Sequence, residues 1–167
     1  RALFTNTDWH LIRESPVPLL LTKPAVWRSV VRFSAAIDPG HTDDKPATLD
    51  RELLSATEKM ALSLRGDVRA VHVFDAIPLF AMSASAAAMD GRAAWADGEF
   101  VESLRRMHRR EFDSLIAEYP AFAGRADFIE GATSSVLPYY AAESDIDVMV
   151  LGAVARGALQ RLLVGST

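Results

Sequence analysis

The end of the chain has the residue spacing best suited to binding a ligand. An apolar run over residues 148–151 ends at Gly152, and Gly165 follows thirteen positions later with two hydroxyl residues, Ser166 and Thr167. Buried parallel strands are such runs, and ligands of open α/β sheets bind where strand ends meet glycine-rich loops. Glycines let backbone N–H groups approach an anion, and the start of a following helix adds a partial positive charge. The pattern predicts a site for a small, phosphorylated ligand.

A second polar segment follows the first predicted strand. Asp38 comes directly before Pro39 and Gly40, a turn signal, and His41 lies in the loop beyond. The Asp38 carboxylate could accept a hydrogen bond from a ligand amine, or it could accept one from the backbone of its own turn. Both interpretations stay open, and His41 is placed within reach of the same ligand.

The sequence offers no constellation for covalent or metal chemistry. It has no cysteine, and its four histidines are far apart along the chain with no pair or carboxylate at metal-ligand spacing. It also lacks the G-x-S-x-G elbow and the P-loop lysine. We therefore expect no metal site and no catalytic residues, so that any ATP hydrolysis would be slow and incidental.

Composition indicates one globular domain of ordinary character. The 167 residues are 50% hydrophobic and 24% charged, with a formal net charge of -4. This balance argues against nucleic-acid binding, and the arginine cluster of residues 105–110 is interpreted as a solvated helix face. No apolar run is long enough to span a bilayer, so we expect no membrane insertion, and the absence of cysteine fits a cytoplasmic location.

Strand and helix patterns alternate along the chain. Strands are predicted over residues 30–37, 68–74, 125–130 and 147–151. Helices are predicted from Leu49 to a stop at Gly66, over 97–118, and over 134–143, where Pro138 would kink the helix or delay its start. The alternation predicts an α/β fold with a doubly wound parallel sheet. The Met- and Ala-rich segment 75–97 is either a helix on the domain's flank or an apolar lid.

Several of these residues together carry a resemblance to a known family. They are Asp38, the run His72-Val73-Phe74-Asp75, the pair Glu130-Gly131, and the Gly152 and Gly165-Ser166 glycines. With them, residues 29–167 resemble the universal stress protein family. The resemblance implies a flavodoxin-like sheet of order 3-2-1-4-(5) that in many members binds ATP or AMP at its carboxyl edge.

The resemblance can be carried over residue by residue. The family's loop has the form G-x2-G-x9-G-[ST], which Gly152, Gly165 and Ser166 match, whereas Ala155 takes the place of the middle glycine. A methyl group there counts against close approach of a triphosphate. The matching implies the following contacts: Asp38 and Val73 with adenine, Leu151 and Gly152 with ribose, and Gly165, Ser166 and Thr167 with phosphates. Pro39 and Ala155 are included among the ligand-binding residues. Arg156 either pairs with a phosphate or is exposed.

Residues 1–28 resemble the closing helix and strand of a preceding domain of the same family, as in its tandem, E-type members. The helix is predicted over residues 7–14 and the strand over 17–22. Residues 29–167 would then form a second domain without its own C-terminal strand. We expect the strand Val17–Leu21 to complete a sheet, either in this chain or in a partner chain. Only about eight residues, spanning about 26–29 Å, separate it from the next strand, which favours exchange with a partner chain in a homodimer.

The leading function hypothesis is a non-enzymatic stress-response domain that binds an adenine nucleotide or related small molecule and dimerises. Two alternatives stay open. One is an interaction scaffold with a degenerate pocket, and the other is a carrier of an apolar metabolite under the 75–97 segment.

Overall fold

The computed structural model of the chain describes residues 12, 15, 17–22, 26–40, 48–76 and 98–152. Strands and helices alternate over these ranges, and a short 3₁₀ turn (Pro120–Phe122) precedes the third strand. The strands are β1 (Arg32–Ala36), β2 (Asp67–Phe74), β3 (Ala126–Glu130) and β4 (Val148–Leu151), and the α-helices are α1 (Leu49–Leu64), α2 (Gly98–Ala117) and α3 (Thr133–Glu143).

The strands form one parallel sheet in the order β3-β2-β1-β4. In the central strand, Ala36 lies between Val71 of β2 and Leu151 of β4. A parallel sheet with crossover helices on both faces is the predicted α/β fold, and the order 3-2-1-4 is confirmed.

The two faces of the sheet are covered by different helices. One face packs against α1 and α2 and holds the larger core, in which Phe33, Leu54 and Phe112 are almost fully buried. The other face packs against α3, where Leu137 and Tyr140 cover Val71. Strand residues alternate between these two clusters, as the period of two in a β-strand requires.

The end of α1 differs in detail from the prediction. Gly66 was expected to be the helix stop, but the residue in the left-handed conformation is Arg65, with φ of 52°. Gly66 is required for a different reason, since a Cβ there would lie 2.3 Å from the carbonyl oxygen of Val31. The glycine lets the helix end pass directly over the sheet.

Pro138 does not delay the start of α3. The helix begins at Thr133 and continues through the proline to Glu143. The missing N–H of Pro138 removes one helical hydrogen bond without ending the helix.

The arginine cluster on α2 is a solvated face, as predicted. Arg109 pairs with Asp113 four residues later, with Nε 2.9 Å from Oδ2, and Arg106 faces Glu102 at 3.8 Å. Arg105 pairs with Glu130 at the end of β3 and therefore ties the helix to the sheet. Of the helices that the structure describes, none combines the length and the apolar character needed to cross a bilayer.

The predicted strand over residues 17–22 is wrong within this chain. These residues are described but belong to no strand, and Val17, Leu19, Leu20 and Leu21 are exposed. Within the described part of the chain, no strand pairs with their backbone. Of the predicted helix before them only Ile12 is described, and its conformation is helical.

Candidate functional site

The carboxyl edge of the sheet brings together two of the predicted site residues, Asp38 and Gly152. Because Ala36 is paired with Leu151, Asp38 and Gly152 follow the ends of adjacent strands. The chain leaves β1 toward β2, whereas β4 lies on the opposite side of β1. Such a reversal of strand order leaves a crevice beyond the strand ends, which is where open α/β sheets bind ligands.

The backbone of Asp38 is held by α1. Its N–H donates to Oδ1 of Asp50, in the first helical turn, at 3.1 Å. The Asp50 carboxylate is buried near the positive end of the helix dipole, where a negative charge is stabilised. The side chain of Asp38 is 50% exposed, so its carboxylate is presented at the sheet edge.

Gly152 packs against the start of the same helix. A Cβ at this position would lie 2.8 Å from Cδ2 of Leu49. The glycine therefore allows β4 to end directly against α1, a role that requires no ligand.

Val73 and Leu151 lie on the α3 face of the sheet. Both are partly buried and pack against the cluster of Val71, Leu137 and Tyr140. Pro39, in the turn after Asp38, is also partly buried. Ala155, Arg156, Gly165, Ser166 and Thr167 lie outside the described residues, as do His41 and most of the 75–97 segment.

Two histidines that are far apart in the sequence lie close together beside Asp38. His72 lies in β2 and His108 in α2, and Nε2 of His72 is 3.3 Å from Nδ1 of His108. Oδ1 of Asp38 lies 3.6 Å from Nδ1 of His72 and 4.0 Å from Nδ1 of His108. Thirty-six residues separate the histidines, so their contact depends on how α2 docks on the sheet, and no local pattern reveals it.

The hydrogen bonding of His72 fixes its tautomer. Its ring is 1% exposed, and Nδ1 lies 2.9 Å from the carbonyl oxygen of Ile37. A carbonyl oxygen only accepts hydrogen bonds, so Nδ1 carries the proton. In the neutral ring, Nε2 then carries the lone pair and points toward His108.

Phenylalanine rings surround the histidine pair. The rings of His72 and His108 are stacked with centroids 5.4 Å apart. His72 also contacts Phe112 and Phe128, and His108 meets the edge of Phe74 at 5.2 Å. These contacts hold both imidazoles in place, and Asp38 lies on their exposed side.

A separate polar network lies on the α3 face. Arg69 donates to Oδ2 of Asp127 at 2.8 Å, and the hydroxyl of Tyr140 donates to the same oxygen at 3.0 Å. Burial raises the pKa of the Tyr140 phenol. The hydrogen bond to Asp127 raises the pKa of the Arg69 guanidinium. This network joins β2, β3 and α3 and stabilises the sheet beneath the helix.

An open groove of about 550 Å³ runs along β3 and α3. Its described lining residues include Ile129, Val136 and Tyr139 and none of the predicted ligand residues. The groove is therefore distinct from the crevice between β1 and β4.

The fold and the positions of the strand ends define a flavodoxin-like α/β domain. Its candidate ligand site lies between β1 and β4, where the strand order reverses, a place called the switch point below. A family model described as "Universal stress protein family" matches residues 41–167. The match covers most of the chain, and the chain belongs to the universal stress protein family.

Relatives of the chain carry the same family name. The chain is 25% identical over 166 residues to the universal stress protein E homolog of Haemophilus influenzae, and 21% identical over 165 residues to universal stress protein E of Escherichia coli K12. Both alignments cover 99% of this chain, but the chain spans only 52% of the Haemophilus influenzae protein and 50% of the Escherichia coli protein.

A solved structure shares the fold. The chain matches a universal stress protein structure from Pseudomonas aeruginosa UCBPP-PA14 with a TM-score of 0.69 at 24% identity. The match covers 98% of this chain and 51% of that one.

Proposed function

We propose that this chain is a stress-response domain that binds an adenine nucleotide, or a related phosphorylated small molecule, between the ends of β1 and β4. The observation that supports this most is the placement of Asp38 and Gly152 after adjacent parallel strands at the switch point. Membership of the universal stress protein family is consistent with it. The domain acts by binding and does not turn its ligand over.

Asp38 is the described residue best placed to recognise the ligand. Its backbone is anchored on Asp50, while its carboxylate is half exposed at the edge of the sheet. A carboxylate only accepts hydrogen bonds when ionised, so it suits the exocyclic amine of adenine. The glycine-rich sequence after β4 would supply backbone N–H groups for the phosphate.

Thermal unfolding with AMP and with ATP tests this proposal, in the presence of a chelator so that no metal contributes. A ligand at a hundredfold its Kd adds about 2.7 kcal/mol of stability, which raises Tm by several degrees. We expect a larger shift with AMP than with ATP, because Ala155 replaces the loop's middle glycine.

The matched variants are Asp38→Ala and Asp67→Ala. Asp67 is similarly exposed, at 48%, but begins β2 at the opposite edge of the sheet. The proposal predicts that Asp38→Ala loses the shift and that Asp67→Ala keeps it. Absence of a shift in the unmodified chain at millimolar AMP would refute the proposal and leave the scaffold alternative.

Dimerisation is a second part of the proposal. Among the described strands, β4 pairs on one side only, with β1. The exposed residues Val17, Leu19, Leu20 and Leu21 form an apolar stretch that is not paired with this sheet. We propose that this stretch adds beside β4 of a second copy, since an open strand edge invites such pairing.

The position of the chain within a larger protein is also a proposal. The chain spans about half the length of the curated relatives it matches. A tandem arrangement of two such domains accounts for that ratio. The absence of cysteine fits function in a reducing cytoplasm.

A further inference from the structure

We infer that Asp38, His72 and His108 form a binding site for a divalent transition metal ion, with zinc as the best match. The three residues come from three different elements, and each offers one ligand atom. These three atoms all lie within 4.8 Å of one another. The inference shares Asp38 with the nucleotide proposal, but His72 and His108 have no part in that proposal, and the test below contains no nucleotide.

The spacing of the two imidazole nitrogens fits zinc. Zinc binds histidine at about 2.0–2.1 Å with tetrahedral geometry, which places two ligand nitrogens about 3.3–3.4 Å apart. Nε2 of His72 and Nδ1 of His108 are 3.3 Å apart. The two nitrogens are within hydrogen-bond distance of each other, and a zinc ion bound to both would take the place of the proton between them without changing their separation.

The tautomer of His72 has the form found in metal sites. A metal-binding histidine commonly donates its second ring N–H to a backbone carbonyl or carboxylate, which orients the ring. Nδ1 of His72 makes this bond with the Ile37 carbonyl at 2.9 Å. The lone pair is consequently on Nε2, the nitrogen that faces His108.

The surroundings preorganise the site. Packing against Phe112 and Phe128 holds His72, and Phe74 supports His108. The turn after Asp38 closes over the second ring, since a Cβ on Gly40 would lie 2.3 Å from Nδ1 of His108. Rings held in this way lose little conformational freedom when a metal binds.

Asp38 completes a set of two nitrogens and one oxygen. Its Oδ1 lies 4.0 Å from Nδ1 of His108, and its half-exposed side chain can adjust to bind the ion. Three protein ligands leave a fourth position for water or an anionic ligand atom.

The test uses the full chain without a polyhistidine tag, stripped of metal by a chelator and then dialysed, with no nucleotide present. Calorimetric titration with Zn²⁺ should give one ion per chain, and Co²⁺ should give the visible absorption bands of a four-coordinate site. Failure of the stripped chain to take up either ion would overturn the inference, whatever the result with AMP.

Variants locate the site. Asp38→Ala and His108→Gln should each weaken Zn²⁺ binding at least about tenfold, by analogy with the loss on removing supporting groups around metals. Asp67→Ala, at a similarly exposed carboxylate at the start of β2, serves as the control and should bind zinc as the unmodified chain does. Circular dichroism confirms that each variant is folded. Unchanged affinity in folded His108→Gln would contradict the assignment.

Discussion

The backbone of Gly40 lies directly against the imidazole of His108. A Cβ added at Gly40 would be 2.3 Å from Nδ1 of that ring and 2.5 Å from its Cε1. The turn that follows Asp38 thus determines where the His108 ring can lie. Because Asp38 and His108 belong to the same cluster, the turn links the end of β1 to α2.

Replacing Gly40 with alanine should displace the His108 ring and weaken zinc binding. The added methyl group cannot occupy the space of the ring, so the His72–His108 separation of 3.3 Å must change. We expect a loss of zinc affinity of about tenfold or more, since a mispositioned ligand has such effects at metal sites. Calorimetric titration of the stripped variant measures it.

Gly66→Ala is the matched control for that variant. Its Cβ would lie 2.3 Å from the Val31 carbonyl oxygen, away from the cluster. Overpacking of this kind costs about 1–3 kcal/mol of folding free energy. The folded control should bind zinc as tightly as the unmodified chain, and equal losses in the two glycine variants would show that instability alone explains the effect.

Stability at alkaline pH should depend on Tyr140. Burial raises the pKa of its phenol, so the folded state holds this proton more tightly than the unfolded state does. The corresponding stability is complete below the unfolded pKa of about 10 and is lost as pH rises through the higher folded value. Tyr140→Phe should remove this decline, as measured by urea unfolding between pH 8 and 11.

Tyr139→Phe is the control for the alkaline decline. Tyr139 directly precedes Tyr140 in α3, and its side chain is exposed. At neutral pH Tyr140→Phe should also cost about 1 kcal/mol, because it removes the hydrogen bond to Asp127. An identical alkaline decline in Tyr140→Phe and the unmodified chain would contradict a role for this phenol.

The architecture could be predicted because the strands are rich in apolar residues. Residues 148–151 are an uninterrupted apolar run, and residues 68–74 are apolar except for Arg69 and His72. The alternation of such segments with helices leaves few topologies. The residue that ends α1 was harder to predict. The sequence indicated Gly66 as the C-terminal end of the helix, whereas Arg65 is the residue that adopts the left-handed conformation. Close passage of Gly66 over Val31 is a tertiary contact that a local pattern does not encode.

The sequence could place only some of the residues at the candidate site, for the same reason. Asp38 and Gly152 follow from the rule that parallel strands end at one edge. His72 and His108 are 36 residues apart, and their contact arises only when α2 docks on β2. The composition of residues 17–22 is typical of a strand, but a strand requires a pairing partner, which the described part of this chain does not provide.

Self-association should depend on the apolar 17–22 segment. Leu20→Lys introduces a charge into this exposed stretch, which disfavours addition to a strand edge. Sedimentation velocity at micromolar concentration should show dimers of the unmodified chain and mostly monomers of the variant. Leu62→Lys, which alters an exposed leucine on α1, should leave the dimer intact. A monomeric unmodified chain would refute strand exchange.

An amide NMR titration with AMP reports both whether the ligand binds at the ends of β1 and β4 and which residues it contacts. In ¹H–¹⁵N spectra recorded with a chelator present, we expect saturable shifts for Asp38, Gly40, Leu151 and Gly152, at the ends of β1 and β4. Unchanged spectra at millimolar AMP, or shifts confined to the groove between β3 and α3, would contradict a ligand site at the switch point.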